Sequence, residues 1–152
     1  MDTVQVYVLK DIEFMCMASM MDLDSIYGYK PKELTEEQLE KELKYTLFNL
    51  AKKRYIQVHN NKLEIVSALK EIYMIIANAE YVIDVKNHET NENIIIYRAK
   101  DKKDAVIITP SITGEDELRV SKIKDIDVEV YLAEEIYGEY TLDEVECIKI
   151  DI

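Results

Sequence analysis

Three runs of β-branched and aromatic residues restrict the fold of this chain more than any other feature. They occupy residues 81–86, 93–99 and 105–109, and only short polar links separate them. Closely spaced strands with short polar links are typical of an antiparallel meander. The second half of the chain is therefore predicted to form a small antiparallel sheet.

The first half has the periodicity of helices. Residues 9–21 contain good helix formers without Gly or Pro, and they are apolar on most faces, which predicts a helix central to a core. Thr35 and Gln38 have the spacing of a capping box. They precede Leu39, Leu43, Leu47 and Leu50 at helical spacing, which predicts a helix over residues 36–54.

A hairpin and a third helix are predicted next. Residues 55–66 alternate in polarity on both sides of Asn60 and Asn61, two residues that tolerate turn geometry, which predicts a β-hairpin. Ser67 is a candidate cap for a helix over residues 68–80.

The C-terminal region is ambiguous. Residues 118–121 form a short apolar run, and residues 125–137 fit both a strand and a helix. Their length favours the helix, with Gly138 as its C′ cap. A second capping-box pattern at residues 141–144 predicts a terminal helix that ends near residue 149.

These elements predict an α+β fold, with a helical module followed by a small antiparallel sheet and a C-terminal helix. No linker rich in Gly or Ser interrupts residues 1–152, so a single integrated domain is expected, with sub-modules 1–66 and 67–152.

Charge and composition exclude several classes of protein. The net charge is −12. Residues 1–66 carry 9 basic and 11 acidic side chains and residues 67–152 carry 10 and 20, so the second half should repel nucleic acid and anionic membranes. No apolar run has the length of a membrane helix, and the N-terminus lacks a signal-peptide pattern. A soluble cytoplasmic protein with reduced Cys16 and Cys147 is expected. The abundance of Ile, Lys, Asn and Tyr suggests an AT-rich bacterial genome.

No motif for a cofactor, a metal or a catalytic nucleophile is recognisable. His59 lies in a predicted turn and His88 in a predicted link, without the spacing of metal ligands. Gly-x-Ser-x-Gly and a glycine-rich phosphate loop are absent from the sequence. The sequence therefore predicts a protein that is not an enzyme and needs no cofactor.

The order helix, break, helix, hairpin, helix resembles a winged-helix module over about residues 9–80. Residues 47–56, LFNLAKKRYI, are similar to the segment that leads into the wing in that family, with Arg54 where Gly is usual. The resemblance implies a trihelical core and, as the alternative function, transcriptional regulation by a dimer. The basic residues that would contact DNA are Lys44, Lys52, Lys53, Arg54 and Lys62. The net charge over residues 35–54 is only +1, which opposes this function.

The whole element order also resembles the EspG-like cytoplasmic chaperones of type VII secretion systems. That resemblance implies a chaperone or adaptor that binds helical secreted substrates. The favoured function is accordingly a non-catalytic, protein-binding adaptor or chaperone-like module with a basic or helical partner.

Two surfaces of the sheet are candidates for binding a protein partner. The edge of the 81–109 meander could accept an added strand beside Ile94, Ile96 and Tyr97, or a second copy of the chain as a homodimer. The sheet face could receive a helix beside Tyr131 and Tyr137.

The methionine cluster of residues 15, 17, 20 and 21 has two interpretations. It either fills the core or lines an adaptable apolar groove for a partner helix.

Overall fold

A computed structural model of the chain describes residues 5–23, 25–29, 34–87, 93–100, 102–110, 116–139 and 145–151. The chain divides into two compact units, residues 9–74 and residues 1–8 with 75–152. The first unit therefore includes most of the third helix as well as the hairpin. Within the described residues, no helix is both long and apolar enough to cross a membrane.

Residues 9–74 contain helices and a two-stranded hairpin. The elements are α1 (Asp11–Met20), α2 (Glu36–Lys52), β2 (Ile56–His59), β3 (Lys62–Ile65) and most of α3 (Ser67–Ala77). The predicted capping box of α2 is confirmed: the Gln38 N–H donates to Thr35 Oγ1 and the Thr35 N–H donates to Gln38 Oε1, both at 3.2 Å. The predicted helix α3 is confirmed, and it begins at Ser67 itself.

The hairpin depends on residues that accept a positive φ. Asn60 and Asn61 have φ of 51° and 60° between the paired residues His59 and Lys62, as a two-residue type I′ turn requires. Arg54, between α2 and β2, also has a positive φ of 64°. A glycine would adopt this conformation without the steric cost that a side chain imposes.

The second unit is built on a six-stranded sheet with the order β1-β7-β6-β5-β4-β8. Its strands are β1 (Val6–Lys10), β4 (Tyr81–Asn87), β5 (Asn93–Arg98), β6 (Asp104–Pro110), β7 (Glu117–Lys124) and β8 (Val145–Asp151). β4 to β7 pair antiparallel in sequence order, so the predicted meander is confirmed. The four central residues of β5 are all buried, and so are four consecutive residues of β6.

A helix covers one face of this sheet. After a 3₁₀ turn at Asp125–Asp127, α4 (Val128–Glu139) confirms the helical interpretation of residues 125–137. Val128, Tyr131 and Leu132 pack against the apolar residues of β4 to β7 on that face. The predicted α+β class, with a helix after the meander, is confirmed.

Three local predictions were wrong. The predicted helix 9–21 begins only at residue 11, because residues 6–10 form β1, with alternating exposed and buried side chains. Gly138 lies inside α4 and does not terminate it. The predicted terminal helix is replaced by β8, which pairs antiparallel with β4 from Tyr81↔Asp151 to Asn87↔Val145; residues 141–144 lie outside the described part of the chain.

Candidate functional site

An apolar groove with a volume of about 600 Å³ lies within residues 9–74, between α1 and α2. α1 forms one wall because it is apolar on two faces. Its inner face carries the buried residues Phe14, Met17 and Ala18. Its outer face lines the groove, with side chains at the i, i+3, i+4, i+7 and i+8 positions of one helical stripe: Ile12, Met15, Cys16, Ser19 and Met20.

α2 forms the opposite wall through its leucine stripe. Leu39, Leu43 and Leu47 line the groove, with Leu63 of β3 closing one side. Thr46 and Leu50 are the buried residues of this seventeen-residue helix. Most of the apolar stripe of α2 therefore lines the groove, and only Leu50 of this stripe is enclosed in the core.

The leucines of the groove are well exposed. The exposed fractions are 52% for Leu39, 44% for Leu43 and 49% for Leu63. Soluble proteins seldom expose several large apolar side chains side by side unless the patch has a binding role. A pocket that encloses a small ligand shields its lining side chains from solvent. Because these three leucines are about half exposed, the groove is shallow.

Among the residues that the structure describes, the two charged residues that line the groove are both acidic. Asp11 lies at the start of α1 and Glu42 lies on α2, so each wall contributes one carboxylate. Asp11 Oδ1 accepts a hydrogen bond from the Ile12 N–H at 2.7 Å. Among the described residues, neither carboxylate forms an ion pair with Lys or Arg. The groove therefore combines an apolar floor with negative charge on both sides.

Cys16 contributes a thiol to the α1 wall. Partial burial raises the pKa of this thiol, and the nearby Glu13 carboxylate raises it further. A thiolate, and not a thiol, is the reactive form of cysteine. Cys16 is therefore a slowly reacting, half-buried part of the apolar wall.

The two walls are fixed to each other at one end by an ion pair. Glu13 is 1% exposed, and its Oε1 accepts from Lys53 Nζ at 2.7 Å and from the Lys10 N–H at 2.8 Å. Because Lys53 follows α2 and Glu13 lies on α1, this contact joins the two helices. Glu13 Oε2 is buried and has no hydrogen-bond partner among the described residues.

Aromatic packing fixes the inner face of α1. The Phe14 ring stacks on Tyr73 of α3 with centroids 5.4 Å apart and meets the edge of Tyr29 at 5.3 Å. Tyr73 Oη donates a 2.7 Å hydrogen bond to the Phe14 carbonyl. The groove is thus built on a rigid helix, which lowers the conformational cost of binding.

The structure places the three predicted strand-addition residues inside the sheet. Ile94, Ile96 and Tyr97 are 8%, 0% and 1% exposed. β5 lies between β4 and β6, β8 pairs with β4, and β7 pairs with β6. The edges expected on the 81–109 meander are therefore both occupied by strands of the same chain, and these side chains belong to the sheet interior.

The two predicted tyrosines lie on α4. Tyr131 is half-buried and packs against the apolar cluster between α4 and the sheet. Tyr137 is in the last part of α4, where its side chain lies outside the described part of the structure. The sheet face beside Tyr131 is thus already covered by α4 itself.

The five predicted DNA contacts lie in residues 9–74, but two are engaged in ion pairs. Lys53 is bound to the buried Glu13, and Lys44 Nζ lies 3.7 Å from Glu40 Oε1 on the solvent face of α2. Lys52, Arg54 and Lys62 are exposed. The paired glutamates reduce the positive potential that a phosphate backbone would meet.

The histidines form no metal site within the described residues. His59 Nδ1 lies 3.8 Å from Glu64 Oε2, which also pairs with Lys70 at 3.7 Å. His88 lies outside the described residues. Within the described part of the chain, no group of three or more His, Cys, Asp and Glu side chains could hold a metal ion.

Sequence reasoning found part of the groove. The alternative interpretation of the methionine cluster anticipated an apolar groove, and the structure assigns Met15 and Met20 to it but Met17 to the core. The leucine stripe of α2 predicted a helix but not a groove, because periodicity identifies an apolar face without showing what covers it. Comparison with protein-family models and with curated proteins finds no match for this chain.

Proposed function

We propose that the protein is a non-catalytic, cytoplasmic adaptor or chaperone-like module, and that its groove binds the apolar face of a helix from a partner protein. The observation that carries this proposal is the half-exposure of Leu39, Leu43 and Leu63 around one groove. An amphipathic helix in a groove is a recurring mode of peptide recognition.

The dimensions of the groove favour a helix as its occupant. α1 has ten residues, and at about 1.5 Å per residue it forms a wall about 15 Å long. A partner helix would present about three turns to such a wall. A helix needs to bury only one face, which suits a shallow groove, whereas a small ligand gains most of its affinity from enclosure. Met15 and Met20 adapt readily to irregular apolar surfaces.

Affinity capture with matched variants tests this function. Leu43→Asp places a charge in the groove at an exposed position, and Tyr45→Asp places the same charge at a 63% exposed aromatic residue of α2 that does not line the groove. Circular dichroism first establishes that both variants keep the wild-type helix content. We expect specific proteins to be retained by the wild type and by Tyr45→Asp but lost with Leu43→Asp. Equal retention by all three proteins would contradict the groove as the binding site.

A secretion-associated role is a further part of the proposal. It is supported by the resemblance of the element order to EspG-like chaperones, and it predicts that the captured helix belongs to a secreted helical protein. The cysteines and the composition are compatible with such a chaperone acting in the cytoplasm. A captured set without any secreted protein would contradict this part alone.

DNA binding by the winged-helix-like unit is the alternative. It is supported by the exposed Lys52, Arg54 and Lys62 near the hairpin, and it is opposed by the ion pair that occupies Lys53. Binding to duplex DNA should be measured near about 50 mM salt, where the electrostatic affinity is greatest. Tight, salt-sensitive binding that Lys52→Glu with Arg54→Glu abolishes would favour the alternative, and an absence of binding would remove it.

A further inference from the structure

The charges along the groove identify the chemical class of its occupant. We propose that the groove selects a basic amphipathic helix, in which Lys or Arg side chains flank the apolar stripe and meet Asp11 and Glu42. This inference rests on the proposed function, because it names the partner of the same groove.

Both walls of the groove carry negative charge. Within the described part of the chain, Asp11 and Glu42 are the charged residues that line the groove, and they belong to different helices. A helix lying between α1 and α2 would therefore have a carboxylate on each side of its apolar stripe. Long basic side chains can lay their methylene groups on the leucines and still reach a carboxylate at the rim.

The charges of α2 are arranged so that acidic side chains lie nearer to the groove than the basic ones. Glu36 precedes Leu43 by seven residues and thus lies on nearly the same face, which extends the acidic rim toward the start of the helix. Lys41 lies on the opposite face by the same geometry. Lys44 is already paired with Glu40. Lys41 and Lys44 therefore do little to neutralise the rim.

The same charges disfavour a second copy of the chain as the occupant. A symmetric dimer through this groove would bring the groove carboxylates of both copies together. The chain also carries a net charge of −12, which opposes self-association. An acidic partner helix is disfavoured for the same reasons.

Two synthetic helices provide the probes. Each is a fluorescein-labelled peptide of three heptads with leucine at the a and d positions, and the remaining positions are lysine and alanine in one peptide and glutamate and alanine in the other. Dissociation constants are measured by fluorescence anisotropy at low salt. The rate of Cys16 alkylation, followed by mass spectrometry with Cys147 as an internal reference, reports occupancy because Cys16 lines the groove.

Two charge-reversal variants separate the groove from the overall charge. Glu42→Lys reverses a carboxylate that lines the groove, and Glu37→Lys makes the same change at an exposed residue of α2 outside it. An exposed ion pair contributes up to about fivefold in affinity. Because Glu42→Lys replaces attraction with repulsion, it should lower the affinity for the lysine peptide about tenfold. Glu37→Lys should change its affinity by less than about twofold.

The expected result is that the lysine peptide binds at least about tenfold more tightly than the glutamate peptide. It should also protect Cys16 from alkylation and lose its binding to Leu43→Asp. If both peptides bound with equal affinity, and if Glu42→Lys and Glu37→Lys had the same effect on that affinity, the proposal of a basic partner would be overturned. The groove would still stand as the binding site. Failure of both peptides to bind, or binding of the lysine peptide that is insensitive to Leu43→Asp, would overturn the groove as well.

Discussion

The ion pair between Glu13 and Lys53 provides the most direct test of how the groove is held together. The Lys53→Met variant keeps a long apolar side chain but removes the ammonium that lies 2.7 Å from Glu13 Oε1. The Glu13 carboxylate is 1% exposed, so it would stay buried with only the Lys10 N–H as a hydrogen-bond donor among the described residues.

The magnitude follows from the burial of the two partners. Removal of one partner from a fully buried pair costs about 3–5 kcal/mol in the free energy of unfolding. Because the Lys53 side chain is 36% exposed, water screens part of this interaction, and we expect a cost of about 2–3 kcal/mol. The matched control is Lys52→Met, an exposed neighbour whose replacement should cost less than about 0.5 kcal/mol.

A double-mutant cycle distinguishes the buried charge from simple packing. Glu13→Gln keeps an oxygen for the Lys10 N–H but removes the negative charge. In that background Lys53→Met leaves no buried charge, so its cost should fall below about 1 kcal/mol. Urea unfolding followed by far-UV circular dichroism measures all four proteins. The same cost for Lys53→Met in both backgrounds would refute the electrostatic reasoning.

Three further predictions concern other contacts. Arg98 makes a bidentate pair with Asp125, at 2.8 and 2.9 Å, so Arg98→Lys should lower the free energy of unfolding by about 1–2 kcal/mol in urea titrations, and an unchanged value would contradict that role. Burial raises the pKa of Tyr73, so the free energy of unfolding should fall as the pH rises above about 10. Tyr73→Phe should reduce this alkaline loss in pH-dependent melts, and an unchanged loss would contradict the role of Tyr73. Deleting residues 145–152 turns β4 into an edge strand, so size-exclusion chromatography should show self-association, and a stable monomer would contradict it.

The strongest predictions from the sequence rested on local signals. The capping box of Thr35 and Gln38 and the paired Asn60 and Asn61 specify backbone geometry within four residues, and both features are confirmed. The meander was equally accessible, because short links leave its strands few alternative pairings.

The terminal strand β8 could not be predicted, because it depends on pairing with a distant part of the chain and not on a local signal. Residues 141–144 have the pattern of a capping box, which favours a helix, but residues 145–151 pair with β4, a strand about sixty residues earlier. Tertiary pairing overrides a local preference when a sheet offers a free edge. β8 also closes the outer edge of β4, one of the two edges of the 81–109 meander where strand addition was expected.

The limits of periodicity are clearest on α2. Leu39, Leu43, Leu47 and Leu50 belong to one stripe, yet Leu50 is fully buried while Leu39 and Leu43 are about half exposed. The pattern identifies the apolar face, but whether another element covers that face depends on the position of α1, which no spacing within α2 encodes. Sequence reasoning therefore predicted the helix but not the groove that Leu39, Leu43 and Leu47 line.

The groove leucines are not required to complete the core of residues 9–74. Phe14 and Met17 of α1, Leu50 of α2, and Leu69 and Tyr73 of α3 are all fully buried. Lys and Gln have helix propensities similar to that of Leu, so either residue could occupy an exposed position of α2. Folding of the helix therefore gives no reason for leucine at residues 39 and 43. Because exposed leucines also promote aggregation, a surface that retains them on both sides of one groove is best explained by a partner that covers them. Under the proposal of a helical partner, the carboxylates of Asp11 and Glu42 would favour one that brings positive charge.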